Sequence, residues 1–245
     1  MRIVERWRTI DPAWRFVLTS FLAARVAWSI WMFVVVTLFP VIAQNLDLFG
    51  APTLAGFNLP SGERFVYSRV LDGETLTFRP GASGKVIDIQ TGSVWDLGSG
   101  RAVRGELEGR RLASSAYSVE DIFPYRGVAI ETNPWLSGWQ RFDTNWYLAI
   151  ARNGYSQGGS RVYFPLYPLL IRAASLFIVD EMVAALVVSN LALVGALYYL
   201  YRLAERISGI PAARRTILYW LLFPTGFILF AAYTESLFLF LSLGA

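Results

Sequence analysis

The chain sets long apolar runs on either side of one polar stretch of mixed patterning. Residues 16–43 carry a single charge, Arg25. Residues 183–200 hold nothing more polar than Ser189 and Asn190, and residues 217–245 have only Glu235 as a charge. A helix needs about 20 mostly apolar residues to cross a bilayer, and these runs have that order of length. The last run is interrupted by Pro224 and Gly226. It reads as one kinked span followed by the start of another, or as a helix with an unwound middle. Between the first two runs, residues 61–112 change character. RFVYSRV, TLTFRP, KVIDIQ, SVWDLG and AVRGELE are short runs with partial alternation. Asp72-Gly73, Thr91-Gly92 and the glycine-rich stretches at 81–84 and 98–100 separate them. That is the turn chemistry of successive hairpins. The pattern predicts a mainly α, polytopic transmembrane helix bundle. A small β-rich extracytoplasmic insert lies between its first and second membrane segments.

The expected organisation follows. Residues 1–43 form a cytoplasmic N-terminus and a first transmembrane helix, and residues 44–139 form an extracytoplasmic loop holding the insert. Residues 140–160 form a juxtamembrane amphipathic helix and turn, and residues 161–245 form further transmembrane helices. The chain stops inside an apolar run, which reads as a truncation of something longer. Arg2, Arg6, Arg8 and Arg15 precede the first run, and basic residues near span ends stay cytoplasmic. The first run is too long for a cleavable signal peptide and lacks a small-residue cleavage site after it. Nine basic and ten acidic residues between 63 and 131 leave the insert nearly neutral, so translocation carries little charge penalty. One conflict stays open. Residues 163–179 barely suffice for a span, and Arg202, Arg206, Arg214 and Arg215 follow the next one. Three full crossings, which helix lengths favour, put those arginines outside, and the positive-inside rule wants them inside; either 163–179 is re-entrant or the rule yields here.

Composition narrows the chemistry. Only 16% of the 245 residues are charged and 55% are hydrophobic, against about 25% charged in soluble domains. There is no cysteine and no histidine. That excludes disulfides, thiolate nucleophiles, histidine bases and most zinc sites. Carboxylates, arginines and tyrosines are left, and a metal would be a hard ion held by oxygen. Of 22 basic residues only Lys85 is a lysine. The pI near 9.5 reflects arginines flanking membrane segments. No soluble segment carries a basic run interleaved with stacking aromatics, so nucleic acid is not an expected partner.

The densest chemistry lies in residues 140–172, QRFDTNWYLAIARNGYSQGGSRVYFPLYPLLIR. Asp143 opens a predicted helix over residues 143–153. It reads either as the helix N-cap or as a general base whose basicity aromatic neighbours raise by desolvation. Trp146, Tyr147 and Tyr163 are the aromatic candidates for substrate contact. Glu235, an acid in an apolar run, faces a polar interior or caps a helix with Thr234. Arg172 and Arg25 suit bidentate phosphate binding. Arg172 alternatively snorkels or pairs with Asp180 or Glu181, and Arg25 alternatively has a structural role. Arg141, two residues before Asp143, is placed to tune it or to hold an anion. Asn190 suits an interhelical hydrogen bond.

Three stretches carry a resemblance. FDTNWYLAIARNGY, YFPLYPLLIR and FPTGFILFAAYTESLFLFLSL resemble, in order and spacing, motifs of the glycosylphosphatidylinositol mannosyltransferase II (PIG-V-like) family and its bacterial relatives. These are membrane glycosyltransferases of the GT-C type. The likeness covers residues 140–245; the β-rich insert has no counterpart. Phe142 stands where the family usually has Trp, and Trp146 stands where eukaryotic members have His. The resemblance implies a bacterial inner-membrane protein with a GT-C-like bundle. It implies that Asp143, in the first extracytoplasmic loop, is the essential acid, and that the donor is a polyprenyl-phosphate sugar, mannose above all. The acceptor is then a glycan, lipid or protein outside the cytoplasm. One carboxylate suffices for inverting transfer. Arg141, Arg172 and Arg161 are the cations available to the leaving phosphate, and a divalent cation is the one cofactor left open. Two rival readings are a lipid-linked-sugar transporter or flippase, and a non-catalytic anchor that displays the insert for binding.

Overall fold

The computed structural model describes residues 7, 9–82, 84–125, 127–141, 143–156 and 158–245. Arg2, Arg6, Arg8 and Phe142 therefore lie outside the described residues. The described chain is largely helical, with two long apolar helices and a small β-sheet region. It divides into two compact units, one of residues 32–138 and the other of residues 1–31 and 139–245.

Helix α1, Pro12–Leu38, opens on an Asp-Pro pair. Asp11 accepts from the Ala13 amide at 2.7 Å, and Pro12 takes the first helical position, where no amide hydrogen is needed. The helix stops at Leu38, not at Ala43 as the apolar run suggested. Pro40 cannot continue a helix and restricts the residue before it. The apolar residues beyond it go instead into a strand.

In the first unit that strand, β1 (Val41–Leu48), pairs antiparallel with β2 (Ala51–Asn58), which pairs with β3 (Arg64–Ser68). Strands thus begin some twenty residues earlier than the hairpin chemistry at residue 61 indicated. Their signal was hidden because Val41, Ile42 and Ala43 read as the end of a span. The β1–β2 turn is Phe49-Gly50, both at positive φ (49° and 83°), the geometry that matches strand twist in two-residue hairpins. Strands β4 (Val70–Leu71) and β5 (Glu74–Thr75) form a small hairpin through Asp72-Gly73. Strands β6 (Phe78–Pro80), β7 (Val86–Asp88), β8 (Val94–Asp96) and β9 (Arg101–Arg104) form a four-stranded meander. A shared core of Leu54, Phe65, Phe78, Val86, Trp95 and Leu112 joins these sheets. Asp88, fully buried, is satisfied by Thr91 and by the Trp95 indole at 2.8 Å. A short helix, α2 (Val119–Ile122), follows with a Ser118–Asp121 capping box.

The second unit holds α3 (Thr144–Asn153), α4 (Leu166–Ala174), α5 (Glu181–Leu222), α6 (Phe227–Phe230) and α7 (Glu235–Gly244). Among the described residues, only α1 and α5 are helices long and apolar enough to cross a membrane. The expected polytopic bundle is corrected accordingly: α4 has nine residues and α7 ten, about 14 Å each at 1.5 Å per residue. Helix α4 is short because Pro165 fixes its start and Asp180 begins the next helix by capping Val183 at 3.0 Å. Helix α5 breaks at Gly209, whose φ of 78° interrupts the helix just before Pro211. It therefore has two legs, and the arginines at 206 and 214 flank the elbow.

Aromatic contacts bind α1 to α5 and to the segment after it. Trp14 stacks on Tyr198 at 4.0 Å, Phe21 on Phe230 at 5.6 Å, and Trp28 donates to the Leu221 carbonyl at 2.9 Å. Asp11 meets Arg202 at 3.9 Å. The start of α1 and the elbow of α5 therefore share one end of this unit, and Arg152 and Glu181, paired at 2.8 Å, mark the other end of the first leg. Helix α7 lies close against α5 because Gly195 faces the Phe240 ring without a side chain of its own. The Asn190 amide donates to Leu186 at 2.7 Å and to Phe230 at 3.1 Å, bonding one segment to another.

Candidate functional site

A pocket of about 480 Å³ opens between α3, α4 and α7. Asp143 and Tyr147 come from the start of α3, Val162, Tyr163 and Phe164 from the strap before α4, and Leu166 and Tyr167 from α4 itself. Thr234, Glu235, Leu237, Phe238 and Leu241 come from the start of α7. One end is polar, with two carboxylates and four hydroxyls, those of Tyr147, Tyr163, Tyr167 and Thr234. The other is apolar, running down α7 through positions 237, 238 and 241.

Asp143 decides the character of the polar end. It precedes α3 with helical backbone angles, φ −69° and ψ −16°, and its side chain makes no capping bond. An N-cap normally takes an extended backbone, with its side-chain oxygen on an amide inside the helix. Here Oδ1 instead accepts from the Tyr163 hydroxyl at 3.0 Å. Tyr163 is held in turn. Its ring stacks on Trp146 at 5.8 Å, meets Tyr147 edge-on at 5.2 Å, and its carbonyl accepts from Tyr155 at 2.7 Å. Gly159 is a glycine because a Cβ there would sit 2.6 Å from the Trp146 indole.

The floor is a buried hydroxyl relay. Tyr147 meets Thr234 at 3.1 Å, Tyr167 meets Ser189 at 2.6 Å, and Ser189 donates to the Tyr233 carbonyl at 2.8 Å. Tyr233 donates to the Arg141 carbonyl at 2.9 Å, and Thr144 to the Ala232 carbonyl at 3.3 Å. These bonds tie the start of α3 to the segment before α7, which is why residues some ninety positions apart line one cavity. Burial pushes the Tyr147 hydroxyl above its ordinary pKa, with Asp143 and Glu235 adding to the effect and the Thr234 bond opposing it. Tyr147 therefore stays a neutral hydrogen-bonding group at ordinary pH.

The sequence candidates divide. Asp143, Tyr147, Tyr163 and Glu235 line the pocket, and Trp146 backs its wall through Tyr163. The arginines do not line it. Arg141 turns inward: its Nη1 is buried with no hydrogen-bond partner, and burial lowers its pKa. Arg172 is exposed near the end of α4 and pairs with neither Asp180 nor Glu181. Arg25 lies over the Trp139 ring at 4.3 Å and donates to the Phe230 carbonyl at 3.3 Å, a structural position. Thr234, Tyr167 and Ser189 join the site through the fold. Tyr167 and Thr234 stand inside the quoted motifs, but only the fold shows their hydroxyls bonded at the floor.

The residues do not make a metal site on their own. Among the described residues no group of three or more His, Cys, Asp or Glu side chains converges, and the pocket contributes two carboxylates. No family model, no curated protein and no solved structure matches this chain.

Proposed function

We propose that the protein is a membrane glycosyltransferase that moves a sugar, mannose in the first instance, from a polyprenyl phosphate to an acceptor outside the cytoplasm. The observation that carries the reading is Asp143: an acid at a helix start, freed from capping and turned into a pocket whose far end is apolar. The resemblance of the three sequence motifs supplies the reaction class.

In this reading the acceptor enters with its hydroxyl at Asp143. The carboxylate takes the hydroxyl proton while the acceptor oxygen bonds to the anomeric carbon. The bond from that carbon to the lipid phosphate breaks, and the phosphate leaves with the electron pair. A single base is enough for a displacement that inverts the carbon. Arg141 and Arg172 are not carried into this step, because neither lines the pocket. Arg161, exposed and next in the chain to the lining residue Val162, is the cation assigned to the leaving phosphate.

The same reading orients the chain. Asp11, Trp14 and the arginine-bearing elbow share one end, so an N-terminus in the cytoplasm brings Arg206, Arg214 and Arg215 there too, as the positive-inside rule asks. The nine-residue α4 does not cross. The Asp143 end of the unit then faces the extracytoplasmic side of a bacterial inner membrane.

The test is sugar transfer in membranes containing the protein, with radiolabelled polyprenyl-phosphate mannose and wild type set against Asp143→Asn. Loss of transfer at equal protein level is expected; equal transfer by both would remove Asp143 from the role of base. The anchor reading keeps one observation in its favour, the separate core of residues 32–138. It predicts partner binding that survives Asp143→Asn and no transfer by either protein.

A further inference from the structure

The pocket has a charge character that the proposed transfer does not by itself require. Asp143 and Glu235 both line it, and among the described residues its lining holds no arginine or lysine. Neither carboxylate takes part in any described salt bridge. The remaining polar groups are three tyrosines and Thr234. Tyr147 stands at 82° to Tyr163 and at 90° to Tyr167, with ring centroids 5.2 and 5.0 Å apart. Tyr147 packs edge to face with both neighbours, and all three tyrosines line the pocket. Aromatic faces attract cations through the ring quadrupole, and carboxylates attract them directly. A bare phosphate entering the same space meets two like charges and no donor cation.

We infer that the polar end of this pocket binds an organic ammonium group, with the alkyl part of the same molecule lying along Leu237, Phe238 and Leu241. Charge complementarity names the occupant: a cationic headgroup on an apolar tail. The inference deepens the transferase reading, on which it rests for one point only, that the occupant is the acceptor. The acceptor's hydroxyl then lies beside its own ammonium group, which the two acids hold, and the donor phosphate stays at the Arg161 side of the rim.

The experiment needs no enzyme assay. The whole chain in dodecyl maltoside micelles is dialysed to equilibrium against radiolabelled octyltrimethylammonium or octyl phosphate, with empty micelles as the reference. Saturable retention of the ammonium probe and none of the phosphate probe is the expected result. Retention weakens by about tenfold in the Asp143→Asn/Glu235→Gln double variant. Glu235→Gln alone, isosteric and at an exposed position, weakens it in the same direction and serves if the double variant does not fold. Equal retention of the phosphate probe overturns the inference. So does phosphate retention that appears only with magnesium, or ammonium retention unchanged in the variants. Transfer is measured on the same preparations. Ammonium binding without transfer would keep the site and remove the transferase reading; transfer without ammonium binding would do the reverse.

Discussion

Asp143 carries the sharpest residue-scale prediction, because its two sequence readings have different costs. A capping side chain is worth about 1 kcal/mol to a helix, and here there is no capping bond to lose. Asp143→Asn is therefore expected to leave the thermal transition of the protein in place. General-base catalysis contributes about 10²- to 10⁴-fold, and transfer should fall by that order. A variant that loses stability and transfer together would return Asp143 to a structural role. Tyr167→Phe tests the floor. Its hydroxyl is buried against Ser189 and the Ala185 carbonyl, so removing it should cost about 1–3 kcal/mol, read by thermal unfolding. The acids and aromatics of the site were legible in the sequence because an acid in an apolar stretch is costly and draws notice. The arginines fall outside the lining of the pocket. Spacing of two residues put Arg141 beside Asp143 along the chain, but the Arg141 Nη1 is buried and Asp143 lines the pocket.

At the scale of elements, the packing of α5 on α7 depends on an absent side chain. A Cβ at Gly195 would lie 2.4 Å from the Phe240 ring, so the ring or the helix must move. Gly195→Ala should destabilise by about 1–3 kcal/mol, the usual cost of overpacking. Adding Phe240→Leu should restore part of it, which a double-mutant cycle of melting curves measures. A simple loss of helix flexibility would not be rescued. The end of α1 was partly legible, since Pro40 marks it, yet the apolar residues after the proline concealed a strand. The interruption of α5 was legible as the arginine-bearing stretch at 202–215, but that the chain stays helical on both sides of Gly209 was not. Gly209 and Pro211 are visible, but helical periodicity resumes beyond them, and only the backbone at φ 78° separates the legs. The length of α4 was misjudged for a related reason. Leu176, Phe177 and Val179 are apolar and exposed, and hydrophobicity alone counted them into a helix that turns before reaching them.

For the molecule as a whole, the absence of cysteine makes its orientation directly measurable. Single cysteines at Arg206 and Arg161, both exposed, are expected to react differently with a membrane-impermeant maleimide in intact cells. The Arg161→Cys protein should label and the Arg206→Cys protein should not; the opposite pattern would invert the proposed topology. The unit of residues 32–138 carries a pH signature of its own. Asp96 is held below its ordinary pKa, first by the Lys85 hydrogen bond at 2.7 Å and then by Ser99. A depressed carboxylate adds stability above its unfolded pKa and loses it as pH falls through the folded value. The unit should therefore weaken on acidification below the ordinary carboxylate range, and Lys85→Met should flatten that dependence in an acid titration followed by Trp95 fluorescence. Arg25 has a consequence for how the protein is made. Its carbonyl partner at Phe230 lies 205 residues further on, which at about 5–20 residues per second is a delay of about 10–40 s. In the proposed topology α1 enters the bilayer during synthesis with that guanidinium unmatched, against a penalty of about 2.5–3.5 kcal/mol for a mid-helix arginine. The surplus of apolar side chains along the rest of α1, with its mean hydropathy of 1.9, is what lets α1 wait for α6.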